Sequence, residues 1–208
     1  MAAPGEQQRS ELGDAGTLRD PQVPLVVLDL ASVETYLLLQ PLTGLARESA
    51  GAIWCPLASD PAPLDLDRES VAQVAATVDL HLSWPVRHPA AVPRAMRVAA
   101  LACSRGQGAS VMFALSRVAF GGGGDVDEPA EYLRALKDTD LAAREARLAA
   151  ESGSHWEGEL CRLARELAAL GIQRAPALRW GGRLYLGSRA IASVLGESSS
   201  SQPPLRLP

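Results

Sequence analysis

Lysine, aromatic side chains and paired cysteines are all scarce in this chain of 208 residues. Lys137 is the single lysine among 20 basic side chains, which fits a GC-rich, bacterial-type genome. It lies in the charged helical stretch EYLRALKDTD, a poor setting for Schiff-base chemistry. The cysteines Cys55, Cys103 and Cys161 are odd in number, widely spaced and without a CxxC pair. That pattern argues against a disulfide framework and an evident zinc site, and it predicts small buried thiols in a reducing compartment. His81, His88 and His155 stand at no metal-ligand spacing, so no metal is expected. A formal charge of -4 without a Lys/Arg cluster leaves no field for a polynucleotide backbone. No apolar run reaches the roughly 18–20 residues of a membrane span, and MAAPGEQQRSELGDAG carries no apolar leader. The expectation is a soluble, cytoplasmic protein with neither nucleic-acid nor membrane partner.

What the chain does have is 47% hydrophobic residues, enough for one substantial core with an inserted subdomain. VPLVVLDL reads as a buried strand, Val33 to Ala50 as a helix, and AIWCPL as a second strand, a β-α-β unit with parallel strands. Pro41 falls inside the helix, yet Leu38, Leu42 and Leu45 keep one apolar face across it, so one kinked rod is expected. From about Pro61 to Leu170 the pattern is helical throughout. RESVAQVAATV, VPRAMRVAALACSR, GASVMFALSRVAF, EPAEYLRALKD and DLAAREARLAAES are the candidate helices, with Gly121–Gly124 as a flexible connection. The helix SHWEGELCRLARELAALG follows, with Ser154 and Glu157 at capping-box spacing and Gly171 at its end. APALRWGG and RLYLGS form a hairpin around Gly181-Gly182, and a helix from Ser188 to Leu195 closes the order.

Without the helical block the order is β-α-β-α-β-β-α, so the fold class is α/β: a thioredoxin-like domain with a large all-helical insertion. The expected organisation is a disordered tail over 1–21, the thioredoxin-like domain over 22–60 and 152–196, the insertion over 61–151, and a second disordered tail over 197–208.

The motifs DLASVETYLLLQP, GAIWCPL, PRAMRVAALA and GIQRAPALRWGGRLYLGSRAI occur in this order over roughly residues 23–195. In them the chain resembles the branch of the DsbA-like thioredoxin-fold superfamily that holds kappa-class glutathione transferases and 2-hydroxychromene-2-carboxylate isomerases. The resemblance places Ser32 on the catalytic serine and Thr35 on the second cysteine position of the redox relatives. It implies glutathione as cofactor, with Pro176 as a cis proline, Ala175 before it pairing with the bound thiol, and Ser188 and Arg189 at the glutathione anchor. Two departures stand out. Val33-Glu34 replaces the usual Pro-Tyr, setting an acid where a thiolate would bind, and the acid expected beside Ser188 is absent.

The residues bear on this independently. A hydroxyl at a helix N-terminus faces unpaired amides and the positive end of the dipole, where it either caps the helix or stabilises an anion. SVET contains no sulfur, so the junction cannot exchange electrons. Arg87 and His88 in SWPVRHP are substrate-pocket candidates, an anion clamp and an acid or base, although a histidine in such a loop also reads as a surface residue.

Whether the chain is an enzyme is open at this point. One reading is a glutathione-dependent isomerase or transferase acting on a small apolar or aromatic substrate, with Ser32 orienting the thiolate. A second is a catalytically silent binding or scaffold module, and a third is a thiol-disulfide oxidoreductase. The partner is a small molecule or thiol, and a homodimer is one assembly the resemblance allows.

Overall fold

The computed structural model describes residues 14–48, 51–58 and 67–195. Its centre is a four-stranded mixed sheet built from β1 (Leu25–Leu28), β2 (Ile53–Pro56), β3 (Ala177–Trp180) and β4 (Arg183–Leu186) in the order β2-β1-β3-β4. β1 runs parallel to β2, with Leu25 opposite Ile53, and antiparallel to β3, with Val27 opposite Ala177. All four β1 residues are buried, as a central strand covered on both faces requires. Alternation sorts them between two cores. Leu25 and Val27 join Cys55, Leu163 and Leu167 on one face, while Val26 and Leu28 join Val33, Leu37 and Ile191 on the other.

The β-α-β unit and the hairpin match the sequence reading. Helix α2 (Val33–Glu48) runs unbroken past Pro41, and Gly181 and Gly182 turn the hairpin at φ 53° and 75°, values that other residues rarely adopt. Among the described residues the helical stretch between β2 and the hairpin holds no strand. It contains α3 (Arg68–Thr77), α4 (Pro93–Ser104), α5 (Gly108–Ser116), α6 (Pro129–Ala135), α7 (Ala143–Ala150) and α8 (His155–Ala169); α9 (Ser188–Leu195) follows β4. Helix α4 is buried continuously from Ala95 to Ala102 and touches β2, α5, α7 and α8, which makes it the axle of the helical block. Its Arg97 is only 5% exposed, and two guanidinium nitrogens donate to the Ala150 carbonyl, closing the end of α7.

Several expectations are corrected. The stretch expected as a disordered tail over 1–21 contains α1 (Ala15–Arg19), whose Leu18 is fully buried and whose Leu18 carbonyl accepts from Arg179 at 2.7 Å. Residues 1–13 and the tail expected over 197–208 lie outside the described residues. Cys161 is exposed, on the outer face of α8. The helix predicted through Phe120 is α-helical only to Ser116 and ends in a wider π-helical turn, Arg117–Gly121. The EPAEYLRALKD helix finishes as a 3₁₀ turn, Leu136–Asp138, and α7 starts at Ala143 instead of at Asp140.

Gly121–Gly124 is a packed turn, not a flexible connection: the Gly124 amide donates to the Val118 carbonyl at 2.9 Å. A Cβ on Gly123, whose φ is 68°, would sit 2.7 Å from the Ser83 hydroxyl. The capping box at α8 is displaced by one residue. Ser154 donates to the Ala149 carbonyl, and Glu157 accepts from the Gly153 amide at 2.7 Å.

Candidate functional site

The chain leaves β1 through a tight turn held by Asp29. The Asp29 carboxylate accepts from the Ala31 amide at 2.9 Å, and its carbonyl accepts from the Ser32 amide at 3.0 Å. These bonds stop the strand and set Ser32 immediately before Val33, at the mouth of a 16-residue helix. Val33, Glu34 and Thr35 are all buried. Thr35 Oγ1 accepts from the Asp29 amide at 3.0 Å, so this hydroxyl locks the turn that precedes its own helix. Ser32 is half-buried, and among the described residues its hydroxyl makes no hydrogen bond, the N-cap bond included.

The Ala175-Pro176 peptide is cis. Because Ala177 pairs with Val27, extending the register by one residue sets Pro176 against Leu28, beside the Asp29 turn. The Gly187 amide donates to the Pro176 carbonyl at 2.8 Å. Among the described residues, neither the amide nor the carbonyl of Ala175 enters a hydrogen bond. Ser188 and Arg189 open α9, which packs on α2; Ser188 is half-buried and Arg189 exposed.

On the side of the helical block, the same turn meets a shallow cleft open to solvent. Leu30 and Ala31 form one wall, and Val92, Ala119, Phe120 and Val126 contribute further apolar surface. Arg87 and His88 both line it. The His88 ring lies 5.0 Å from Trp84 and 5.4 Å from Phe120, edge-on to the latter. Tyr36, on α2, stacks on Phe120 at 6.1 Å and donates to the His81 carbonyl at 2.8 Å. Burial, aided by the Arg68 cation stacked 4.7 Å over Trp84, pushes the His88 pKa below its ordinary value of 6.5, so the imidazole is neutral at physiological pH. Arg87 donates to Asp125 at 2.8 Å. The peptide joining His88 to Pro89 is also cis.

Thus Arg87 and His88 come together with the residues that lead into Ser32, while Ala175 and Pro176 lie beside β1 at the same junction. Of the expected site residues Arg87 and His88 line the cleft, whereas Ser32, Thr35, Ala175, Pro176, Ser188 and Arg189 do not. Phe120 and Asp125 were missed by sequence reading. Both lie in or beside the Gly-rich turn, where nothing in the local pattern distinguishes them.

The thiols lie elsewhere. Burial drives the Cys55 pKa to about 12 and raises that of Cys103 well above its ordinary value, so both remain protonated. Among the described residues no group of three or more His, Cys, Asp or Glu side chains is arranged to hold a metal, and no helix is long and apolar enough to cross a membrane.

A sheet in the order β2-β1-β3-β4, with a helical block between β2 and the hairpin, defines the DsbA-like thioredoxin fold. Solved structures share it at low identity. A 2-hydroxychromene-2-carboxylate isomerase superposes with a TM-score of 0.68 at 15% identity, covering 86% of this chain and 94% of that one. A probable DsbA oxidoreductase from Streptomyces coelicolor gives 0.60 at 17%, covering 89% and 93%. The cytosolic disulfide reductase DsbM from Pseudomonas aeruginosa, solved with GSH, gives 0.55 at 17%, covering 77% and 87%. No protein-family model and no curated protein matches the sequence.

Proposed function

We propose that the chain is a glutathione-dependent isomerase or transferase that takes a small apolar or aromatic substrate in the cleft beside α2. The observation that carries this reading is the uncommitted Ser32 hydroxyl at the mouth of a long helix, one residue from the cleft-lining Ala31. There it can donate to a thiolate that also faces the positive end of the helix dipole.

The residues fit glutathione at two further points. The unpaired backbone of Ala175 offers a donor and an acceptor to a peptide-like ligand, and Arg189 supplies a cation at the start of α9. Bound there, glutathione would supply a nucleophilic thiolate. The protein's own groups would orient it, exclude water with the walls of Phe120 and Leu30, and offer the neutral His88 imidazole as a proton acceptor. Disulfide reduction, the chemistry named for the fold neighbour DsbM, is disfavoured because the junction carries no sulfur and both Cys55 and Cys103 are held protonated.

The alternative is a silent binding module, and Glu34 favours it: an acid, only 5% exposed, lies in the first turn of α2 at the position next to Val33. Calorimetric titration with glutathione separates the two. Saturable binding in the wild type, weakened about tenfold in Ser32→Ala by loss of a charge-assisted hydrogen bond, supports the enzyme reading. Absence of binding at millimolar glutathione overturns it in favour of the module.

A further inference from the structure

Arg87 and Asp125 are the two formally charged side chains among the described residues lining the cleft. They face each other as an ion pair, with Asp125 accepting from Arg87 at 2.8 Å. The two partners are held very differently. The Asp125 side chain is 28% exposed, and its other carboxylate oxygen accepts from the Asp127 amide at 3.1 Å. The Asp125 carbonyl accepts from the Glu128 amide at 3.0 Å. Two residues on, the Asp127 carboxylate accepts from the Arg94 and Ala95 amides at 2.6 and 3.2 Å, fastening the loop to the start of α4. The acid is therefore fixed by its own loop. The Arg87 side chain, 65% exposed, is the more solvated member of the pair.

The nearby cations Arg68 and Arg117 are not part of the lining. Arg68 lies over the Trp84 ring at 4.7 Å, and Arg117 lies over Phe113 at 5.6 Å. Apart from His88 the remaining lining is apolar, and Phe120 and His88 meet edge to face at an interplanar angle of 81°.

We propose that Asp125 is a specificity-determining residue: by holding Arg87 it leaves the lining of the cleft without net charge, so the site selects uncharged apolar ligands over their carboxylate analogues. The proposal rests on the cleft being the substrate site of the function proposed above, but not on glutathione or on Ser32. An anion entering the wild-type cleft must either displace a loop-anchored carboxylate from Arg87 or lie beside it, and both are unfavourable. Sequence reading assigned Arg87 the opposite role, an anion clamp, because its partner lies far along the chain.

The test is equilibrium binding, by calorimetry, of two ligands of the same shape, naphthalene-2-carboxamide and 2-naphthoate, without glutathione. Wild type is expected to bind the amide about fivefold more tightly than the carboxylate, the scale of a partly exposed charge interaction. Asp125→Asn keeps an oxygen for the Asp127 amide and so preserves the loop, but frees Arg87; the order should invert in favour of 2-naphthoate. Arg87→Gln, which leaves the acid alone, should widen the wild-type preference. Equal or carboxylate-favouring binding by the wild type overturns the proposal, as does an unchanged ratio in Asp125→Asn or no binding of either probe up to millimolar. Because neither probe carries a thiol, these outcomes are separate from failure of the glutathione titration.

Discussion

The backbone amide of Asp29 donates to the hydroxyl of Thr35 at 3.0 Å, tying the end of β1 to the first turn of α2. Of the two hydroxyls at this junction, one is therefore spent on the fold and the other, on Ser32, is not. Thr35→Val keeps the shape but strands a buried amide, and should cost about 1–3 kcal/mol in urea unfolding. Ser32→Ala removes no bond within the protein and should change stability by no more than about 0.5 kcal/mol. Equal losses in the two variants would show that Ser32 is a cap after all.

Glycine positions divide in the same way. A Cβ on Gly124 would stand 2.9 Å from Glu131 Oε2, 3.0 Å from Val118 Cγ1 and 3.2 Å from the Val118 carbonyl, a backbone atom that cannot swing aside. Gly124→Ala should destabilise by about 1–3 kcal/mol, the cost of overpacking. Gly158, on the outside of α8, has nothing within 4 Å, and Gly158→Ala should stabilise by about 0.5–1 kcal/mol. Thermal denaturation of the pair checks both signs.

The depressed pKa of His88 has a definite pH signature. The unfolded chain binds the proton near pH 6.5, and the folded protein only lower, so stability from this group is complete above that value and is lost as pH falls below it. Urea midpoints between about pH 5 and 7.5 should fall with acidification, and His88→Gln should flatten this part of the profile. An identical slope in the variant would place the titration elsewhere.

Thiol reactivity should be singular. Only Cys161 is exposed among the three free cysteines. Maleimide labelling of the native protein is expected to stop at one adduct, at Cys161, and to reach all three only in denaturant. Rapid native labelling of Cys55 would contradict its burial.

Local signals carried most of the scaffold. Gly181-Gly182 between two apolar runs specifies a hairpin whatever lies around it, and LVVL is too apolar to be anything but a covered strand. The features that escaped are those made by distant partners. Five residues of α1 hold one apolar anchor, Leu18, and its carbonyl is claimed by Arg179 from β3. The π-helical turn leaves the periodicity of VMFALSRVAF unchanged; what distinguishes it is Gly121, where a Cβ would lie 3.2 Å from the Tyr36 hydroxyl. Ser32 was legible as a junction residue, but whether its hydroxyl is used depends on which amide Thr35 and Asp29 engage. The cleft was half legible: Arg87 and His88 could be suspected from their loop, whereas Asp125 gains meaning only through Arg87, at a separation of 38 residues.

The order β2-β1-β3-β4 also bears on biosynthesis. β1 finds its parallel neighbour as soon as Ile53–Pro56 has been made, but its other flank stays bare until Ala177–Trp180 emerges from the ribosome. For that interval a fully apolar strand presents one unsatisfied edge to the cell, and nascent chains of this protein should be clients of the chaperones that bind such edges.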